Sequence, residues 1–225
     1  MKFGVVRFPG SCDEVDALLA CERVGEAVIL WHGDRDLQGV DAVVVPGGFS
    51  YGDYLRVGAI ARFAPVMGEV AEFARAGGIV VGICNGFQVL CEAGLLPGAL
   101  LPNTSLRFIF RQVAVEVASA ASPFTAACSV GDRLSIPVKH TTGRFYAPED
   151  ALARLESGDQ VLLRYAPGEN PNGSLHDIAG ICNEQRNVFG LMPHPEHAVD
   201  PLTGSTDGLT IFESIRAHVA DGVPV

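Results

Sequence analysis

Residues 79–88 read Ile-Val-Val-Gly-Ile-Cys-Asn-Gly-Phe-Gln, and they decide the fold. The first five, Ile79–Ile83, are an apolar run rich in β-branched residues, which predicts a strand buried on both faces. From Asn85 to Ala93 the pattern is helical, and Gly94 is a stop signal. Because a buried strand leads directly into a helix, this stretch predicts the βα unit from which parallel sheets are built.

The same alternation continues on both sides of this unit. Before it, strands are predicted at Lys2–Val6, Ala27–Trp31 and Asp41–Val45, and helices at Val15–Glu22 and Met67–Ala76. After it, strands are predicted at Val113–Val117, Leu134–Val138, Val161–Tyr165, Ile178–Cys182 and Val188–Met192, and a final helix at Asp207–Val219. Strands with few helices between them pair antiparallel or extend a mixed sheet. We therefore expect an α/β fold in one domain over residues 1–225, with a central, mostly parallel sheet, helices on both faces and an antiparallel extension.

The composition limits the classes of function. With 48% hydrophobic residues the chain can form a core, which excludes intrinsic disorder. Its 16 basic and 26 acidic residues give a net charge of −10, which disfavours a nucleic-acid partner because phosphate binding relies on Lys and Arg. No apolar run approaches the roughly 18 residues of a membrane helix, and the first residues do not resemble a signal peptide. We therefore expect a cytoplasmic protein without membrane contact.

One of the six cysteines stands apart from the others. None of the six lies in a CxxC or CxH pair, so no metal site is expected and reduced thiols are the default. Cys84, however, is the centre of a G-x-nucleophile-x-G elbow, in which Gly82 and Gly86 let strand and helix pack around a strained turn. The helix N-terminus stabilises a thiolate, and the Asn85 N–H is placed to bind an oxyanion. On this pentapeptide alone, a buried cysteine between two packing glycines is an equally good interpretation.

A thiol nucleophile needs a base, and the base needs an orienting group. Residues 192–197 read Met-Pro-His-Pro-Glu-His and directly follow a predicted strand. His194 is the candidate base, and Glu196, two residues later in an extended segment, would point to the same side and accept from the imidazole. By the same alternation His197 would face the opposite side. A lone histidine is more commonly a packed or surface residue, so this assignment depends on its combination with Cys84.

A Gly-rich loop, Val45–Asp53, is the third candidate. It lacks the Lys-Ser/Thr of a P-loop and the spacing of GxGxxG, so phosphate binding is not predicted. Its backbone N–H at Gly48 fits an oxyanion hole in front of Cys84, although alone it is an ordinary glycine turn. Three residues are candidate substrate contacts. They are Gly47 and Phe49, which flank Gly48, and Gln88, which lies one helical turn after Cys84.

Together these motifs resemble the class I, triad-type glutamine amidotransferases, where the loop, the elbow and the His-Pro-Glu box occur in this order. Longer blocks resemble one branch, the small glutaminase subunits of phosphoribosylformylglycinamidine synthases. The blocks are Gly47–Arg56, Gly82–Gln88, Asn103–Phe108, Ile136–His140, Asn170–Ser174 and Ile178–Glu184, with Asp207-Gly208 and Ile211-Phe212 near the end. Two departures are visible, His197 for the usual Arg and Thr141-Thr142 for Gly-Glu. We expect them to affect only the pocket rim or a partner interface.

The resemblance implies a flavodoxin-like three-layer fold, with Cys84 as nucleophile, His194 as acid and base, and Glu196 as its orienter. It implies that glutamine is hydrolysed to glutamate and ammonia through a Cys84 glutamyl thioester. The ammonia would pass to a large ATP-binding synthetase subunit, which converts formylglycinamide ribonucleotide to the amidine in purine biosynthesis. A small bridging subunit is expected in the complex. ATP and magnesium are expected on the synthetase partner, and no cofactor on this chain.

Three alternatives share parts of this pattern. A glutaminase subunit serving another synthetase would share the triad but should lack the blocks Phe49–Asp53 and Asn103–Phe108. A cysteine-elbow hydrolase of the protease or chaperone type is the second alternative. A Glu before the elbow and the absence of a His-Pro-Glu box would favour it. A non-catalytic subunit with a relic pocket is disfavoured by the intact triad.

Overall fold

A nine-stranded sheet carries the fold, and the computed structural model describes residues 1–220. The strands are β1 (Lys2–Arg7), β2 (Glu26–Trp31), β3 (Ala42–Val45), β4 (Ile79–Ile83), β5 (Ala99–Pro102), β6 (Ile109–Val117), β7 (Arg133–His140), β8 (Thr142–Tyr146), β9 (Val161–Tyr165), β10 (Ile178–Cys182) and β11 (Val188–Leu191). The helices are α1 (Glu14–Glu22), α2 (Pro65–Arg75), α3 (Asn85–Glu92), α4 (Glu149–Ser157) and α5 (Leu209–Ala220).

The main sheet changes from parallel to antiparallel at β11. Its order is β2-β1-β3-β4-β11-β10-β9-β6-β7, and the first five strands pair in parallel. The remaining pairs are antiparallel, and β5 and β8 form a separate antiparallel pair. Every residue of β3, β4 and β11 is buried, as expected where helices cover both faces of parallel strands. The predicted α/β fold with its antiparallel extension is confirmed.

Three elements lie where the sequence pattern predicts none, namely α4, β5 and β8. In α4 only Leu152 and Leu155 are buried, so its apolar stripe is too short to show a helical period. Within the described residues the short strands β5 and β8 pair only with each other. One predicted helix begins earlier than expected, at Pro65, because proline is favoured in the first turn. The predicted domain ends at residue 225, and its last five residues lie outside the described chain.

The parallel strands place the candidate site. Their carboxyl ends meet on one edge of the sheet, which is where α/β proteins bind ligands. The chain leaves β1, β3, β4 and β11 on this edge and continues into residues 8–13, the Gly-rich loop, Cys84 and His194 respectively. Within residues 1–220, no helix combines the length and apolarity needed to cross a membrane.

Candidate active site

The elbow holds Cys84 in a conformation that side chains rarely adopt. Its backbone has φ 51° and ψ −104° between β4 and α3. A Cβ on Gly86 would overlap the Val45 carbonyl oxygen, and one on Gly82 would come within 2.7 Å of the Gly86 backbone. Only glycine therefore fits at these two positions, as the sequence predicts. The Cys84 Sγ is nearly buried and lies 3.9 Å from the Lys139 carbonyl oxygen.

The His194 imidazole and the Glu196 carboxylate form a buried pair. His194 Nδ1 lies 2.6 Å from Glu196 Oε1, and both residues are buried. Burial lowers the pKa of His194, but the Glu196 carboxylate and the Cys84 thiolate outweigh burial and raise this pKa to about 10. The imidazolium that forms when the thiol ionises is therefore stabilised. The buried Nε2 atom of His194 makes no hydrogen bond with residues 1–220, so it is free to exchange a proton with the thiol or the substrate.

The segment after His194 differs from the prediction. Pro195–His197 is a turn of 3₁₀-helix rather than an extended segment. Since a 3₁₀-helix has about three residues per turn, His197 returns to the side of His194. His197 Nε2 lies 3.0 Å from Asp13 Oδ1, and its ring centre lies 5.4 Å from that of His194. The prediction that His197 faces the opposite side is wrong.

Asp13 is a site residue that sequence reasoning misses. It occupies the N-cap position of α1, but its side chain makes no capping hydrogen bond. Its buried carboxylate instead accepts from Lys139 Nζ and His197 and lies 3.8 Å from His194 Nδ1. Burial raises the pKa of Asp13, but His197, His194 and Lys139 together hold it well below its usual range. Its position after β1, on the ligand-binding edge, is the signal that identifies it.

The side chains around His194 also belong to the types that can bind a metal cation. Asp13, His194, Glu196 and His197 present ligand atoms within 4.8 Å of one another. Imidazole and carboxylate groups are donors that Zn²⁺ accepts. In the structure each of these imidazoles hydrogen-bonds a carboxylate instead. The geometry therefore fits an acid–base network centred on His194.

The Gly-rich loop lies beside the thiol. Gly48 and Phe49 line the same cavity as Cys84. Within residues 1–220 the Gly48 N–H makes no hydrogen bond and so can donate to an oxyanion, whereas the Phe49 N–H donates to the Gly10 carbonyl oxygen at 2.8 Å. Gly47 packs against the candidate base, because a Cβ on it would come within 2.8 Å of the His194 ring. The contact of Gly47 with substrate stays a prediction.

The Asn85 side chain ties the loop to the elbow. Its Oδ1 accepts from the Ser50 N–H at 3.0 Å and the Ser50 hydroxyl at 2.6 Å. Its Nδ2 donates to Gln88 Oε1 at 2.8 Å and to Asp53 Oδ1 at 3.2 Å. Gln88 lines the cavity and donates to the Thr142 carbonyl oxygen at 2.5 Å, so both polar ends of this amide are engaged. The Asn85 backbone N–H lies in the first turn of α3, where it has no partner within the helix.

The cavity beside Cys84 has a volume of about 90 Å³. Thr141 and Thr142, two of the positions that depart from the family pattern, both line it, in agreement with an effect at the pocket rim. A second cavity of about 390 Å³ shares Asp53 and Gln88 with it. Substrate can therefore be held between the Gly-rich loop and the end of β7, with its reacting group at the thiol.

Comparison with known proteins identifies the family. A model of the CobB/CobQ-like glutamine amidotransferase domain matches residues 1–216. Phosphoribosylformylglycinamidine synthase subunit PurQ of Rubrobacter xylanophilus is 62% identical over 218 residues, covering 96% of this chain and 98% of the relative. The PurQ subunit of Mycobacterium tuberculosis is 58% identical over 223 residues, covering 98% of this chain and 99% of the relative.

Solved structures agree with this relationship. A chain in the structure of PurLQS from Thermotoga maritima has a TM-score of 0.89 and 42% identity, covering 97% of this chain and 98% of that one. A glutamine amidotransferase from Thermotoga maritima, with a TM-score of 0.61 and 17% identity over 97% of each chain, shares the fold. The chain therefore belongs to the CobB/CobQ-like glutamine amidotransferase family and, within it, to the PurQ subunits of phosphoribosylformylglycinamidine synthase.

Proposed function

We propose that the chain is the glutaminase subunit of a phosphoribosylformylglycinamidine synthase. It hydrolyses glutamine to glutamate and ammonia and delivers the ammonia to a synthetase subunit that forms formylglycinamidine ribonucleotide in purine biosynthesis. The observation that carries this proposal is the strained Cys84 elbow beside the buried His194–Glu196 pair. The cavity in front of the thiol supplies the place for the substrate.

The reaction follows from the positions of these groups. His194 takes the thiol proton, and the Cys84 thiolate attacks the carboxamide carbon of glutamine. Backbone N–H groups of Gly48 and Asn85 bind the oxyanion, and loss of one such donor costs about 10²–10³ in rate. His194 then gives its proton to the leaving nitrogen, so the C–N bond breaks and ammonia departs. Water, deprotonated by the same imidazole, cleaves the glutamyl thioester and restores the thiol; such acid–base catalysis contributes about 10²–10⁴.

Glu196 acts on this cycle through the imidazole. Its hydrogen bond to Nδ1 fixes the tautomer in which Nε2 exchanges protons, and its charge stabilises the imidazolium. Gln88 shapes the cavity wall, and Phe49 borders the cavity with about half of its surface exposed. We assign both to substrate contact, with Gly48 and Asn85 as the oxyanion donors.

The partners follow from the chemistry. Amidine formation needs ATP. We propose that ATP and magnesium bind to the synthetase subunit and that this chain carries no cofactor, and the lack of a P-loop motif in this sequence supports the proposal. The Thermotoga maritima chain with 42% identity comes from a structure of PurLQS. We infer that this chain assembles in the cytoplasm with a PurL-type synthetase and a small PurS-type bridging subunit.

The test uses the reconstituted complex. Cys84→Ala should abolish glutamine-dependent turnover, while ammonia added directly still supports synthesis because the synthetase site is intact. Cys128→Ala is the matched control, since this cysteine does not line the cavity, and it should behave as wild type. Near wild-type glutamine hydrolysis by Cys84→Ala would show that the nucleophile is misassigned. The isolated chain should hydrolyse glutamine only feebly, and full activity without a partner would contradict that coupling.

A further inference from the structure

His140 is a buried histidine that the reaction above does not use. It is the last residue of β7, is 4% exposed, and lines the same cavity as Cys84. The preceding residue, Lys139, places its carbonyl oxygen against the Cys84 thiol. A Cβ on Gly143 would collide with the imidazole edge that carries Nε2, so that edge is packed against backbone. The ring is therefore held in one orientation at the wall of the candidate site.

A chain of hydrogen bonds fixes the tautomer of this ring. The Ser174 backbone N–H donates to Asn172 Oδ1 at 3.0 Å, which determines which end of the Asn172 amide is NH₂. That NH₂ group donates to the Gly143 carbonyl oxygen at 2.8 Å and faces His140 Nε2 at 3.1 Å; the Tyr165 hydroxyl is farther, at 3.2 Å. An NH₂ group cannot accept, so Nε2 is the acceptor. The ring proton is therefore on Nδ1.

The ring is also neutral, so this proton is its only N–H. Burial, with the neighbouring His194 charge, lowers the pKa of His140 to about 3. Nδ1 is buried and has no hydrogen-bond partner within residues 1–220. A buried donor without a partner is unfavourable and rare in folded proteins, so its retention calls for an explanation. A bound ligand that brings an acceptor into the cavity would satisfy it.

We propose that His140 is a substrate-binding residue whose Nδ1–H donates a hydrogen bond to an oxygen of glutamine bound in front of Cys84. The inference rests on the proposed glutaminase function and extends it to a recognition residue. Asn172 is then a positioning residue, since it acts on the substrate only through the tautomer of His140. The ligand class is an amino-acid carboxamide, which carries oxygen acceptors at both ends.

Two substitutions separate this role from a structural one. In His140→Asn the amide nitrogen takes roughly the place of Nδ1 and keeps the donor, but the contact with Asn172 is lost. In His140→Gln the longer side chain keeps a group at the place of Nε2 but loses the Nδ1 donor. We expect kcat/KM for glutamine in the reconstituted complex to fall roughly ten- to a hundredfold in His140→Gln and clearly less in His140→Asn. A purely structural role predicts the reverse order.

Two controls keep the outcomes distinct. Ammonia-dependent turnover of each complex reports folding and assembly. If wild type does not hydrolyse glutamine, the proposed function fails; if wild type does and His140→Gln has an unchanged kcat/KM, only the His140 inference is overturned. A direct measurement covers variants that fold poorly. In the Cys84→Ala complex, ring ¹⁵N chemical shifts of His140 should show a proton on Nδ1 that responds to glutamine, and a proton on Nε2 or no response would refute the proposal.

Discussion

Replacing Asp13 with Asn should destabilise the protein strongly, although Asp13 is neither the nucleophile nor the base. Its carboxylate is 4% exposed and binds the Lys139 ammonium, which is 27% exposed, together with His197. Breaking a buried ion pair from one side costs about 3–5 kcal/mol of unfolding free energy. Because Lys139 is partly solvated, we take the lower end, about 3 kcal/mol. For a chain of 225 residues this corresponds to a decrease in Tm of about 6–12 °C.

Differential scanning calorimetry of thermal unfolding at pH 7 measures this decrease in Tm. The control is Asp150→Asn, whose pair with Arg154 is exposed on the surface of α4 and should leave Tm unchanged. A Tm of Asp13→Asn within about 2 °C of wild type would refute the reasoning. So would an equal decrease in the two variants, because it would show that burial of the pair does not matter.

The pH dependence of stability provides a second test of the same prediction. The pKa of Asp13 is lowered on folding, because the hydrogen bonds and charges of its partners outweigh the opposing effect of burial. Such a group contributes stability that is present above the unfolded pKa of about 3.9 and is lost as pH falls through the folded pKa. The difference in Tm between wild type and Asp13→Asn should therefore be full at neutral pH and shrink below about pH 4. A difference that grows on acidification would contradict the assignment of the charge to Asp13.

Two further substitutions test the elbow and the loop. Gly86→Ala should prevent native folding, because its Cβ would overlap the Val45 carbonyl oxygen. The control is Gly68→Ala in α2, where a Cβ meets nothing within 4 Å; urea unfolding should show that this variant stabilises the protein by about 0.5–1 kcal/mol. Asn85→Ala should lower kcat for glutamine about 10²–10³-fold, because the Ser50 segment of the Gly-rich loop loses its anchor and the oxyanion donors shift. A kcat within a factor of three of wild type would argue against a link between the Asn85 side chain and the oxyanion donors.

The elbow could be predicted from the sequence because all of its determinants are local. The apolar run of β4, the helical pattern of α3 and the glycines at 82 and 86 all lie within residues 79–92. A strand buried on both faces needs no alternation, and a glycine is required wherever two backbones approach closely. By contrast α4 buries only Leu152 and Leu155, and β5 and β8 form only a two-stranded pair, so their patterns fall below what periodicity detects.

The charge network around His194 could not be predicted in the same way, because its members are far apart in sequence. Asp13 follows β1, Lys139 is the last residue but one of β7, and His197 follows β11. Their contacts exist only after the parallel and antiparallel halves of the sheet join at β11. The prediction for His197 is wrong for a local reason, because two-residue alternation does not apply where a 3₁₀ turn occurs. The role of His140 cannot be predicted for a non-local reason, because its tautomer is set by Asn172, 32 residues away in sequence.

The strain at Cys84 explains why the surrounding glycines are needed for both stability and chemistry. A non-glycine residue in such a conformation costs of order 1–3 kcal/mol and persists only where its neighbours over-determine it. Here the Cys84 N–H donates to the Leu191 carbonyl oxygen at 2.8 Å, and the Cys84 carbonyl oxygen accepts from the Gln88 N–H at 3.2 Å. The first bond extends the pairing of β4 with β11, and the second belongs to the first turn of α3, so Cys84 is held from both sides. Gly82 and Gly86 leave room for the strand and the helix to approach this closely. The same close approach places the thiol at the N-terminus of α3, beside the N–H groups of its first turn that have no partner within the helix. The contacts that impose the strain are therefore the ones that present the nucleophile, so a substitution that relaxed the turn would also move the thiol away from these N–H groups.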